Sequence, residues 1–153
     1  MPEALEILAL ACTGLYAGYM LAFLSGVMPA LKEMDDASFT SVMRTVNRKV
    51  PGPLFLLLFL GSLAFPAVSF FVEPDGRAGG DTTLVGAAAV CALVGHLVTS
   101  GGNVPLNNAL ESAKGRDARS ARTAFEGRWN ALHALRTLLA TAAFGLVAVA
   151  VTG

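Results

Sequence analysis

The sequence predicts an all-α protein, a four-helix transmembrane bundle with short amphipathic segments on its cytoplasmic side. Three observations carry this expectation. The chain contains four apolar blocks, each near the roughly 20 residues that a helix needs to cross a bilayer core. Only 14% of its 153 residues are charged, and these gather between the blocks, whereas a soluble domain scatters about 25% over its surface. No block alternates apolar and polar residues, as the strands of a membrane barrel do. The length suits one domain over residues 1–153. A net charge of zero leaves no basic excess for nucleic-acid phosphates.

The first span is expected over residues 4–31. Its start carries Glu3 and Glu6 without Lys or Arg, and its apolar run outlasts a signal-peptide core, so it reads as part of the mature fold. Residues 53–72 form the second span, opened by the turn sequence Pro51-Gly52-Pro53. The third covers residues 82–100, with Asp81 or Thr82 placed to cap its first turn, and the fourth covers residues 129–151. Phe39, Val42, Met43 and Val46 recur at near-helical spacing, which predicts a short helix lying on the membrane surface. Residues 123–128 extend the fourth helix below the membrane, with Arg122 and Glu126 one turn apart. The glycine-rich stretch 73–81 reads as a mobile loop. No internal repeat is visible.

Loop charges set the expected orientation. Lys32, Arg44, Arg48 and Lys49 lie between spans one and two, and Lys114, Arg116, Arg119, Arg122 and Arg128 between spans three and four. Between spans two and three only Arg77 stands, beside Glu73, Asp75 and Asp81. The positive-inside rule places both basic loops in the cytoplasm and both termini on the other side of the cell (inner) membrane.

Helices associate in lipid where small residues permit close approach. Such residues recur every four positions at Gly14, Gly18, Ala22 and Gly26, at Ala87, Cys91, Gly95 and Thr99, and at Thr137, Thr141 and Gly145. They read as bundle seams, and Gly14 and Gly18 alternatively as a homodimer face. Span two, mostly Leu and Phe, shows no such stripe and is expected to be the most lipid-exposed. Cys12 and Cys91 fall in apolar stretches at no metal-ligand spacing and read as small packing residues.

Polar side chains inside a bilayer are expensive and therefore informative. They concentrate at the cytoplasmic ends of spans three and four: His96, Ser100, Asn103, Asn107 and Asn108, then Trp129, Asn130, His133 and Arg136. At 100° per residue Trp129, His133 and Arg136 share a narrow face. The antiparallel run puts His96 and His133 at similar depth, about 6 Å in. Two imidazoles, a guanidinium and carboxamides thus converge on one candidate pocket opening toward the cytoplasmic leaflet. Tyr16 and Tyr19, near mid-membrane, each need a hydroxyl partner, which a ligand or a neighbouring carbonyl supplies. Every member also has a structural reading. Arg136 can snorkel to phosphates, Trp129 alone reads as an interface anchor, and Asn103-Val104-Pro105 as the end of the third helix. Each histidine, taken singly, reads as a packing residue. One histidine pair with no other supporting feature argues against haem, and no span interior holds the carboxylates of a di-metal site, so neither metal nor cofactor is expected.

Asn103-x-Pro105-Leu106-Asn107, Phe125-x-x-x-Trp129 and Trp129-x-x-x-His133-x-x-Arg136 resemble the anthrone oxygenase-like family of small four-span membrane proteins, long catalogued as a domain of unknown function. Gly14, Gly18 and Asn47 also fit its pattern, and asparagine often stands there in place of His133. The resemblance implies oxidation of anthrones to anthraquinones without metal or flavin, with Asn103, Asn107, Trp129, His133 and Arg136 as the matching positions.

The expected function is then a cofactor-independent membrane oxygenase acting on a lipophilic, anthrone-like aromatic. Arg136 with Asn103 and Asn107 would hold the substrate anion, His96 or His133 would take its proton, and Tyr16, Tyr19, Trp129 and Asn130 would contact the ring system. The alternative is a non-enzymatic subunit that binds membrane lipid or a partner protein, the same cluster acting as structural glue. A channel or transporter fits poorly, with no carboxylate in any span. A ligand-sized cavity of about 300 Å³ or more separates enzyme from glue.

Overall fold

A computed structural model describes residues 2–72 and 78–153. Glu73, Asp75 and Arg77, part of the expected mobile loop, lie outside the described residues. The first block is helical over Pro2–Ala22 (α1), passes through a π turn at Phe23–Val27 and continues as Met28–Lys32 (α2). A connecting helix, Asp36–Lys49 (α3), leads to the second block, Pro53–Phe71 (α4). The third block runs as Gly79–Val98 (α5), a π turn at Thr99–Asn103, and Val104–Ser112 (α6), and the last as Ala118–Thr152 (α7). Four helical stretches, Glu3–Lys32, Pro53–Phe71, Gly79–Ser112 and Ala118–Thr152, are long and apolar enough to cross a membrane. The described residues contain no strand. The chain is an all-α, multi-pass membrane protein.

The third helix departs most from expectation. It neither starts at Thr82 nor stops at Asn103-Val104-Pro105. It begins at Gly79 behind Ala78, with no side-chain cap and with Asp81 inside its first turn, where a carboxylate meets the positive end of the helix dipole. At Thr99–Asn103 the backbone widens, and the Val104 N–H reaches back five residues to the Thr99 carbonyl. Proline in a regular helix clashes with the carbonyl four residues before it, and the wider turn removes that clash at Pro105. The first helix uses the same device: the Met28 N–H bonds the Phe23 carbonyl, and Pro29 follows. Each proline stands two residues beyond its π turn.

Around the bundle the order is α1, α4, α5, α7 and back to α1, each helix packing on the two beside it. Sequential antiparallel neighbours are what short connections produce. The seams are partly those expected. An added Cβ at Gly95 would come to 3.7 Å from Leu139 and one at Gly14 to 2.9 Å from Phe144, so both glycines face α7. Gly18, Gly26 and Gly145 meet nothing within 4 Å, and Ala22 and Ala87 are exposed. Span two does carry a small-residue seam, contrary to expectation. Gly61, Ser62, Pro66 and Ser69 are buried, and a Cβ on Gly61 would lie 2.8 Å from Cys12 Sγ. Spacing every four residues missed it because its steps are one, four and three.

α3 does not lie with its apolar face on lipid. Phe39 and Met43 are fully buried in a cluster with Met28, Leu31, Leu106, Leu110, Phe125 and Trp129. This second core, outside the helix–helix seams of the spans, covers one end of the bundle. Asp35 caps α3, accepting from the Ala37 and Ser38 amides at 3.0 Å, and the Ser38 hydrogen bonds hold its carboxyl below the usual carboxylate range. Two arginines tie the layer together. Arg122 donates to the Lys32 and Met34 carbonyls at 2.9 and 2.7 Å, bonds Glu126, pairs with Asp36 and lies 4.4 Å from the Phe39 ring centre. Arg44 donates to the Leu110 carbonyl at 3.0 Å. Both therefore satisfy carbonyls left unpaired at helix C-termini.

Candidate functional site

Helical arithmetic on α7 puts Trp129, His133 and Arg136 on the face turned toward α1 and the Thr99–Asn103 π turn. Gly102 allows the close approach: a Cβ there would stand 2.7 Å from Leu132. Trp129 stacks on His133, ring centres 4.9 Å apart and planes at 21°, and donates from its indole nitrogen to Asn107 Oδ1 at 2.8 Å. At 3% exposure it is a buried core residue, which corrects the reading of Trp129 as an interface anchor.

Arg136 is 8% exposed, so it does not snorkel. Its Nε donates to His133 Nδ1 at 3.1 Å, and one terminal nitrogen reaches Thr99 Oγ1 at 3.4 Å. Its guanidinium carbon lies 5.4 Å from the Trp129 ring centre. Among the described residues no carboxylate pairs with it. A guanidinium offers five N–H donors, and these contacts use two.

The two histidines are held in different ways. His133 is wholly buried. Its Nδ1 accepts from Arg136, so its Nε2 carries the proton and donates to the Met20 carbonyl at 3.2 Å. No lone pair remains free, and His133 borders neither of the spaces beside Arg136. His96 turns Nδ1 to the Ala92 carbonyl at 2.7 Å and Nε2 to the Phe59 carbonyl, stacked on Phe59 at 3.8 Å. The two imidazoles do not converge: His96 faces α4, and His133 faces α1.

A cavity of about 80 Å³ lies over Arg136, bordered by Tyr19, Phe55, Thr99, Asn103, Asn107 and Trp129 among others. Four expected contacts, Tyr19, Asn103, Asn107 and Trp129, therefore border it together with Arg136. Asn47, at the end of α3, also lines it. Asn47 Nδ2 and Asn103 Oδ1 are buried without hydrogen-bond partners. On the other side of Arg136 a space of about 10 Å³, room for one water, is bordered by Tyr16, Ser62 and His96. The Tyr16 hydroxyl is buried there in the field of Arg136 and near Thr99, without a well-formed hydrogen bond. Asn130 borders neither space. Phe55 was not singled out in the sequence because nothing separates one Phe from its many neighbours, and Thr99 was read only as a member of a packing stripe. Asn47 was visible only through the family pattern. No cluster of His, Cys, Asp or Glu able to hold a metal occurs among the described residues.

Fold and site together define a helical membrane protein with an unneutralised cation buried beside a small chamber whose mainly apolar wall carries three asparagines. Residues 39–146, about seven-tenths of the chain, match the sequence model of a family described as Anthrone oxygenase, and the chain belongs to that family. The match takes in Asn47, Asn103, Asn107, Trp129, His133 and Arg136 and begins after Tyr16 and Tyr19. No curated protein and no solved structure matches the chain.

Proposed function

We propose that this chain is a cofactor-independent membrane oxygenase that holds the anion of a lipophilic, anthrone-like aromatic against Arg136. The observation that carries this reading is the buried guanidinium with no carboxylate beside it and with donors to spare at a cavity. Such a cation attracts an anion and lowers the cost of forming one. Deprotonation of the anthrone methylene gives an enolate. Carbon–oxygen bond formation with dioxygen then gives a hydroperoxide, and loss of water leaves the quinone carbonyl. The oxidant is dioxygen itself. Arg136 and the Asn47 carboxamide offer donors to the anion, and the proton leaves to water. His133 positions Arg136 and is not the base.

The second reading, a subunit that binds an anionic lipid headgroup without chemistry, is favoured by one observation. A chamber of about 80 Å³ is well below the roughly 300 Å³ of a ligand-sized pocket. One experiment separates the two. Trp129 is the sole tryptophan and borders the chamber, so its fluorescence reports occupancy. In proteoliposomes under air, wild-type protein should show saturable quenching by a hydroxyanthrone and form the quinone. Arg136→Gln should weaken binding by on the order of tenfold or more, as loss of a charge-assisted hydrogen bond implies. Unchanged binding in Arg136→Gln would remove the anion site. Saturable binding without quinone leaves the lipid-binding reading.

A further inference from the structure

A groove of about 320 Å³ opens beside the chamber, bordered by Tyr19, Lys49, Val50, Gly52, Pro53, Leu54, Phe55 and Leu58. Three residues, Tyr19, Val50 and Phe55, border both spaces. The groove is thus the outer room of a two-room site, and those three side chains form the partition.

The two rooms differ in chemistry. The inner one ends on Arg136 and the unpartnered Asn47 and Asn103 groups. The outer one is walled by apolar side chains, with Lys49 as its charged residue. Leu54 and Leu57, at the start of α4, are 69% and 60% exposed and so face lipid in a spanning helix. Tyr19 and Phe55 stand 5.7 Å apart, and the aromatic row continues from Tyr19 to Phe23 and from Phe55 to Phe59. Flat aromatic bodies stack favourably on such a wall.

We infer that the ligand is loaded sideways from the bilayer and binds divided, its anionic oxygen in the inner chamber and its flat apolar body in the outer groove, with Tyr19, Val50 and Phe55 as the partition between them. This inference rests on the anion site proposed above and names the shape of molecule that site takes. A tricyclic body exceeds the inner room and fits the outer one. Lys49 at the rim lies where headgroups begin, and its ammonium draws an anionic ligand toward the opening. The division also removes the conflict between a small chamber and a large substrate: the chamber needs only to hold an oxygen and the atoms next to it.

Two probes of different size test it, read by quenching of Trp129 in proteoliposomes: 4-nitrophenolate, whose phenolate oxygen enters the inner room while its single ring leaves most of the groove empty, and a tricyclic hydroxyanthrone. Two variants fill the groove from different sides, Leu54→Phe at an exposed position and Gly52→Phe. An added Cβ at Gly52 meets nothing closer than the Lys49 carbonyl at 3.4 Å. Both variants should weaken the tricyclic probe about tenfold and leave the nitrophenolate within about twofold, since occupying apolar space excludes the body and spares the head. Retention of both probes, or equal loss of both, overturns the two-room site. Arg136→Gln run alongside should lose the nitrophenolate, so failure of the anion site shows as a separate result from failure of the groove.

Discussion

A guanidinium taken out of water without a carboxylate beside it costs several kcal/mol in protein interiors. Arg136 offsets part of that cost through the His133 lone pair, the Thr99 hydroxyl and the Trp129 ring. His133 thus acts as an acceptor fixed in one tautomer by the Met20 carbonyl. Asparagine supplies the same pair of groups, an oxygen to accept from Arg136 and an N–H to donate to Met20. His133→Asn should therefore keep hydroxyanthrone binding within about fivefold of wild type, with an unchanged pH profile between 5 and 8, whereas losing a general base costs about 10²–10⁴ in rate. His133→Leu, with neither group, should lose binding as Arg136→Gln does. The grouping of Trp129, His133 and Arg136 was legible in the sequence, because spacing on one helix fixes which residues share a face. The directions of the ring nitrogens were not. They depend on carbonyls of Met20 on α1 and Phe59 on α4, and no spacing within α5 or α7 contains those.

At the scale of elements, the amphipathic pattern of α3 was correct and its docking partner was not. A buried apolar face has the same periodicity whether lipid or protein covers it, so Phe39 and Met43 looked the same in either case. Protein covers it here, and Met43→Ala should cost about 2–5 kcal/mol, the range for truncating a buried methionine, measured as a lowered midpoint of unfolding in detergent. Arg122→Lys tests the fork that binds the Lys32 and Met34 carbonyls, Glu126 and Asp36 together. A lysine ammonium is a point donor and cannot span them, so a loss of about 1–3 kcal/mol is expected. The π turns were invisible for a different reason. Proline announces a break, and Asn103-Val104-Pro105 was read as one, but a widened turn before the proline removes the same clash while the helix continues.

For the whole molecule, hydropathy alone gave the four spans, because the requirement of about 20 apolar residues is imposed by the bilayer and not by tertiary contacts. Loop charge gives the orientation as an expectation. Lys114→Cys and Thr152→Cys, made one at a time on a background with Cys12 and Cys91 replaced by alanine, should label from opposite faces of the membrane with an impermeant maleimide, Lys114→Cys from the cytoplasmic side. Labelling of both from one face would refute the single span between them and the assigned topology with it. The ring order α1, α4, α5, α7 brings the first and last helices together. Arg136 on α7 thereby reaches the neighbourhood of Tyr16, Tyr19 and Met20 on α1, more than a hundred residues earlier in the chain.

The surplus residue in each π turn separates chain length from side-chain direction. Excising Gly101 would return residues 99–104 to regular winding, leave the side chains beyond it near their present directions because the π turn already absorbs that residue, and press the Pro105 ring onto a carbonyl. The shortened chain should still insert with Trp129 emission near that of wild type, because the apolar length and the Asn107 hydrogen bond are kept, while its midpoint of unfolding falls as expected for a cost of about 3 kcal/mol from a proline inside a regular helix. A lineage can therefore gain or lose a single codon in this turn while the residues that floor the chamber keep their places.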